Sequence, residues 1–134
     1  MALVPLSSIS LHFEYDLVAA RRRARQIAAL LTFDEQQQTR IATVASEIAR
    51  NALRYAGGGR IEFGVDSRNG AQSLTLTVSD RGPGIENLDA VLSGRYQSNT
   101  GMGIGLVGAR RLMDDMQINT APGKGTTVTL RKVL

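Results

Sequence analysis

Glycine fixes where this chain can turn. Clusters stand at Gly57-Gly58-Gly59, Gly82-Pro83-Gly84, Gly101-Met102-Gly103-Ile104-Gly105 and Gly123-Lys124-Gly125. Glycine accepts the left-handed backbone that ends helices and reverses strands, so each cluster marks a boundary. The pieces between them keep one period each. Residues 8–14 alternate, with Ile9, Leu11 and Phe13 on one side, which predicts a strand with one buried face. Asp16 is the expected N-cap of a first helix, along which Leu17, Ala20, Ala24, Ile27, Ala28 and Leu31 recur. A second helix is expected from Asp34 to about Ala56, striped by Ile41, Val44, Ala45, Ile48 and Ala52 and stopped by the triple glycine. Residues 60–66 and 73–80 read as a hairpin around the Asn- and Gly-bearing turn at 67–70. A short helix is expected around 86–92, a polar stretch at 93–101 and a third long helix at 104–115. Strands at 117–120 and 126–132 close the chain around the turn Pro122-Gly123-Lys124-Gly125. Helices mixed with hairpins predict an α/β fold, a two-layer α/β sandwich whose mixed sheet is covered on one face by about three helices.

At 134 residues the chain can bury a core without staples, and one domain over 1–134 is expected, alone or as part of a longer protein. It has no cysteine, which removes disulfides and thiolate metal sites and favours a reducing cytoplasm. No apolar run is long enough to span a bilayer, and Met1-Ala2-Leu3-Val4-Pro5 lacks the pattern of a signal peptide. A cytoplasmic protein with no membrane partner is therefore expected. Net charge is +4 and aromatics are 4% with no Trp, so no base-stacking platform is visible and no nucleic-acid partner is expected. The run Arg21-Arg22-Arg23-Ala24-Arg25 reads as a solvated helix face or as a surface for an acidic protein.

Four short patterns carry the chemistry. Glu47 and Asn51 stand four apart on the second helix, beside its apolar stripe, so both emerge where the helix meets a cleft. A carboxylate and an amide oxygen there suit Mg²⁺; taken alone, the pair is more simply a solvated helix edge. Asp80-Arg81-Gly82-Pro83-Gly84 ends an apolar strand with a carboxylate aimed at a glycine-rich turn. Such a carboxylate accepts a hydrogen bond from an exocyclic amine, although Asp, Gly and Pro equally make a plain β-turn. Gly101 to Leu106 opens a helix with exposed backbone N–H groups, a favourable setting for phosphates. No strand precedes it and no Gly-Lys-Ser/Thr ends it, so it is neither a dinucleotide fingerprint nor a Walker loop. Gly123-Lys124-Gly125-Thr126-Thr127 enters the last strand and places a hydroxyl where it can reach a base edge, yet alone it is a hairpin turn.

In order and spacing these four patterns resemble the GHKL superfamily, the Bergerat ATP-binding fold of gyrase-type topoisomerases, HSP90 chaperones, histidine kinases and MutL. The resemblance covers nearly the whole chain. Ala45-Ser46-Glu47-Ile48-Ala49-Arg50-Asn51, then Arg54-Tyr55-Ala56-Gly57-Gly58-Gly59, and Gly105-Leu106-Val107-Gly108-Ala109-Arg110-Arg111-Leu112-Met113-Asp114, are similar to the RsbT-type and anti-sigma-factor serine kinases, as is Asp16-Leu17-Val18-Ala19-Ala20-Arg21. That resemblance implies binding of ATP or ADP with Mg²⁺ and phosphorylation of a serine on a STAS-type antagonist in a partner-switching stress pathway. It implies Glu47 as general base and Asn51 as the Mg²⁺ ligand. It implies Asp80 on the adenine amine, Gly82 and Gly84 shaping the base pocket, and Ile85 against the ring. Gly101, Met102, Gly103, Ile104, Gly105 and Leu106 would cradle the phosphates, and Thr126 would complete the adenine contact. The stretch 86–100 would be a lid, in which Arg95 reads as a surface residue; Gly94-Arg95-Tyr96-Gln97-Ser98-Asn99-Thr100 is poorer in glycine than is usual in that family.

Two other roles fit the same residues. One is a nucleotide-gated switch that binds a regulatory protein, such as a phosphatase or sigma factor, with little catalysis. The other is the ATP-binding domain of a sensor histidine kinase, for which the lone histidine, His12, sits in a strand-like stretch and reads as structural. A gyrase- or chaperone-like role would need further domains. Oligomeric state is not legible.

Overall fold

The computed structural model describes residues 3–68, 70–86, 88–92 and 102–134. The elements run β1 (Leu3–Leu11), α1 (Glu14–Leu30), α2 (Glu35–Ala56), β2 (Gly59–Arg68), β3 (Ala71–Asp80), α3 (Leu88–Leu92), α4 (Met102–Leu112), β4 (Asp115–Thr120) and β5 (Thr126–Val133). The sheet order is β1-β2-β3-β5-β4. Every described pairing is antiparallel, where the sequence predicted a mixed sheet. The reason is topological. The α3–α4 crossover does carry β3 to a strand of the same direction, β4, but β5 turns back and slots between them.

Period-2 burial sorts the sheet. Ile61 faces Val78 and Phe63 faces Leu76 across β2 and β3, while Val128 and Leu130 continue the row on β5. These side chains form the core with Ile41, Val44, Ile48 and Leu106 from the helices. The opposite face carries Arg60, Glu62, Thr77, Ser79, Thr127 and Thr129. Alternation therefore gives one apolar face to the helices and leaves a polar one.

The ends of α2 follow their chemistry. Asp34 caps it by accepting from Gln37 N at 2.8 Å, and Gly57 stops it at φ 75°. Inside, Ile41, Val44, Ala45, Ile48, Ala49 and Ala52 are buried. The small residues Ala20, Ala24 and Ala28 let α1 lie close against this face.

The start of α1 corrects two expectations. Phe13, not Asp16, occupies the N-cap position, and β1 ends at Leu11. Asp16 sits in the first turn and reaches back, accepting from the backbone N–H of His12 at 2.8 Å and of Phe13 at 2.9 Å. A side chain at the third helical position reaches back to the N–H of the cap residue, as in a capping box. The two N–H bonds hold the Asp16 carboxyl below its ordinary value. Phe13 therefore leaves the strand's buried face. It is 58% exposed, with its ring 5.3 Å from that of Tyr15. The strand instead extends back to Leu3, with a register shift between Pro5 and Ser7.

Candidate nucleotide site

Two turns meet at one end of the sheet. β3 delivers Asp80 directly opposite Thr126 of β5. Asp80 Oδ1 accepts from Gly82 N at 2.9 Å and from Thr126 N at 3.1 Å. Among the described residues no hydrogen bond falls on Oδ2. One oxygen thus anchors the side chain. Gly123 N donates to the Pro83 carbonyl at 2.8 Å, and Ile85 N donates to Thr120 Oγ1 at 2.9 Å. Close backbone approach explains the glycines here. A Cβ on Gly84, at φ 79°, would collide with the Ala121 carbonyl, and one on Gly125, also at φ 79°, with that of Asp80. A Cβ on Gly82 would lie 2.5 Å from that of Ala56 at the end of α2.

These turns form one wall of a cavity of about 130 Å³ that opens to solvent. α2 supplies the opposite wall through Ile48, Asn51, Ala52, Tyr55 and Ala56; α4 adds Leu106. The structure therefore brings Asn51, Asp80, Gly84, Ile85, Leu106 and Thr126 around a single space. Apolar walls with a carboxylate oxygen that has no partner among the described residues suit a flat heteroaromatic ring bearing an amine.

Beside the cavity, Gly105 on α4 faces Asn51 and Glu47. A Cβ built on it would stand 3.5 Å from Asn51 Nδ2 and 3.8 Å from Glu47 Oε2. The helical spacing thus does place Glu47 and Asn51 on one side of α2, toward the start of α4. Asn51 Nδ2 is buried without a partner, so its amide is uncommitted; which way the amide turns is settled by what binds. Among the described residues no three His, Cys, Asp or Glu side chains cluster as metal ligands. Asn51 lines the cavity, and its amide oxygen fits Mg²⁺, which keeps waters and takes phosphate oxygens rather than a full protein cage. Gly101 lies outside the described residues, as does Arg95; Met102, Gly103 and Ile104 enter as backbone of the first turn of α4.

Sequence reading passed over two residues that the geometry brings in. Arg50 Nη1 lies 2.5 Å from Glu47 Oε1, both side chains being more than a third exposed. Its i, i+3 spacing from Glu47 was the available signal. Thr120 contacts Thr126 Oγ1 at 3.0 Å and Gly125 O at 3.2 Å besides Ile85 N. No spacing rule singles it out, because its role arises only when the two turns meet.

Residues 36–134 match the family described as histidine kinase-, DNA gyrase B-, and HSP90-like ATPase. The serine/threonine-protein kinase RsbT of Bacillus subtilis is 38% identical over 128 residues, 96% of each chain. An anti-sigma F factor of Clostridium kluyveri is 31% identical over 110 residues, 76% of this chain and 73% of that one. A chain of the SiaB-SiaC complex from Pseudomonas aeruginosa shares the fold, with a TM-score of 0.56 at 10% identity over 97% of this chain and 91% of that chain. The matched segment contains all four sequence patterns and both walls of the cavity, and on these grounds the chain belongs to the histidine kinase-, DNA gyrase B- and HSP90-like ATPase family.

Proposed function

We propose that this protein is an ATP-dependent protein serine kinase that acts on a STAS-type antagonist in a partner-switching pathway. The observation that carries the reading is Asn51, which lines one cavity with Asp80 and Thr126 and also stands with Glu47 beside Gly105. The similarity to RsbT across 96% of both chains supports the kinase class, and the similarity to an anti-sigma F factor supports a regulatory protein as partner.

The residues divide the work. Asp80 Oδ2 accepts from the adenine amine, and Ile85, Val78 and Val128 border the ring. The first turn of α4, including Gly103 to Gly105, presents N–H groups to the phosphates, with the side-chain-free Gly105 leaving room beside Asn51. Asn51 holds Mg²⁺, which neutralises phosphate charge when bound. Glu47 takes the proton of the incoming serine hydroxyl as that oxygen bonds to the γ-phosphorus and the bond to the β-phosphate oxygen breaks, releasing ADP. Positioning and charge account for most of the rate in such a transfer, because its transition state is loose.

A second reading, the nucleotide-gated switch, draws on the surface of α1. Phe13, Tyr15 and Val18 are exposed there, and Arg21 and Arg22 follow on the same helix. An apolar patch beside cations suits an acidic protein surface. Incubation with ATP and STAS-domain antagonists, followed by mass spectrometry, separates the two. Phosphoserine made by the wild type and not by Glu47→Gln is the expected result. Tight nucleotide-dependent association without phosphoserine would instead make the protein a switch.

A further inference from the structure

The two carboxylate oxygens of Glu47 stand in different surroundings. Oε1 accepts from Arg50 Nη1 at 2.5 Å. Oε2 accepts from none of the described residues and lies 3.8 Å from where a Cβ on Gly105 would stand. The carboxylate is therefore split, with one oxygen tied to a cation and the other turned toward α4.

Helix geometry sets the order of the three side chains. At 3.6 residues per turn, Arg50 projects about 60° from Glu47 on one side and Asn51 about 40° on the other. Asn51 lines the cavity and Arg50 does not. The cation thus holds Glu47 from the side away from Asn51. Such a hold matters because Glu47 is half-exposed and free to swing into solvent. A triphosphate bound beside Asn51 would repel the carboxylate and favour that swing. Arg50 opposes it: one charge-assisted hydrogen bond on Oε1 keeps the side chain in the rotamer that aims Oε2 at Gly105. The pair is too solvated to add much to the stability of the fold. Catalysis asks less of it, only that the aimed rotamer be the populated one.

We infer that Arg50 is a positioning residue for phosphotransfer: by holding Glu47 Oε1 it makes Oε2 the oxygen that takes the serine proton, as the serine oxygen bonds to the γ-phosphorus and the bond from that phosphorus to the departing ADP breaks. The inference rests on the reading of Glu47 as the general base of a serine kinase. Arg50 touches neither nucleotide nor serine and acts only through Glu47.

The test measures phosphotransfer from Mg²⁺-ATP to STAS-domain antagonists by the wild type, Arg50→Ala, Arg50→Lys, Glu47→Gln and the double variant Glu47→Gln/Arg50→Ala. Arg50→Ala should lower kcat roughly 3–10-fold, the population that one charge-assisted bond at a solvated site maintains, with KM for the antagonist and affinity for ADP within about 2-fold of the wild type. Arg50→Lys, whose ammonium can fill a contact made by one nitrogen, should restore about half or more of the wild-type kcat. Removing Arg50 from Glu47→Gln should change kcat by less than about 2-fold, because the residue through which it acts is gone. Wild-type kcat in Arg50→Ala, a loss confined to KM or to ADP affinity, or the same loss of kcat with and without Glu47 overturns the inference. The kinase reading is tested separately: phosphoserine made by the wild type and lost in Glu47→Gln upholds it whatever Arg50 does, whereas no phosphoserine from the wild type overturns both.

Discussion

At the end of the cavity proposed for adenine, the turns after β3 and β4 are tied by Asp80 Oδ1 to Gly82 N and Thr126 N, by Thr120 to Ile85 N, and by Gly123 N to Pro83 O. At the end proposed for the phosphates, Asn51 Nδ2 is buried with no partner among the described residues and Glu47 is paired with Arg50. The turns of the first end are tied to one another before a ligand arrives, with Asp80 Oδ2 left over. At the second, the polar group left over is Asn51 Nδ2. The contrast follows from topology: neighbouring antiparallel strands bring the adenine residues together through backbone register, whereas Glu47 and Asn51 depend on how α2 and α4 pack. On the proposed reading, base recognition is built into the fold and phosphate chemistry is assembled on it.

Substitutions at the two ends should therefore fail differently. Glu47→Gln should cut phosphotransfer to the antagonist by roughly 10²–10⁴-fold, the usual contribution of a general base, while ADP affinity measured by calorimetry changes little. Asp80→Asn should weaken ADP by about 10–100-fold, since a charged acceptor is replaced by an amide that can also present a donor to the amine. Glycines sharpen the contrast further. Gly84→Ala introduces a clash with the Ala121 carbonyl at a positive φ and should cost about 1–3 kcal/mol in denaturant unfolding. Gly105→Ala meets only ordinary contacts near Asn51 and Glu47, so the helix should gain up to about 1 kcal/mol. The same methyl narrows the phosphate end, and ATP should weaken more than adenosine. Equal behaviour of the two alanine variants would erase the distinction between the ends. Arg50→Ala should shift stability by less than about 0.5 kcal/mol, because the ion pair with Glu47 is largely solvated. A larger loss in an unfolding titration would mean that the phosphate end, too, is part of the structural frame.

Much of this was legible in the chain. Helix α2 was readable because stripe, N-cap and glycine stop all agree at Asp34 and Gly57. The cavity residues Asn51, Asp80, Gly84, Ile85 and Thr126 were readable because each stands in a short pattern of fixed spacing. The strand β1 was misjudged at both ends: the alternation of Ile9, Leu11 and Phe13 runs on past the point where the helix begins, and Asp16 caps from inside the first turn. The direction of β5 was equally hidden, since nothing local says that the last strand inserts between β3 and β4. Thr120 looked like one of several β-prone threonines, and only the meeting of two turns gives its hydroxyl three partners.

The most direct test is calorimetric titration of ADP, with and without Mg²⁺, into the wild type, Asp80→Asn and Glu47→Gln. Magnesium-strengthened binding that Asp80→Asn loses and Glu47→Gln keeps is the predicted result. Wild-type affinity in Asp80→Asn, or loss of ADP binding in a folded Glu47→Gln, would contradict the division of the site into a base-reading end and a catalytic end.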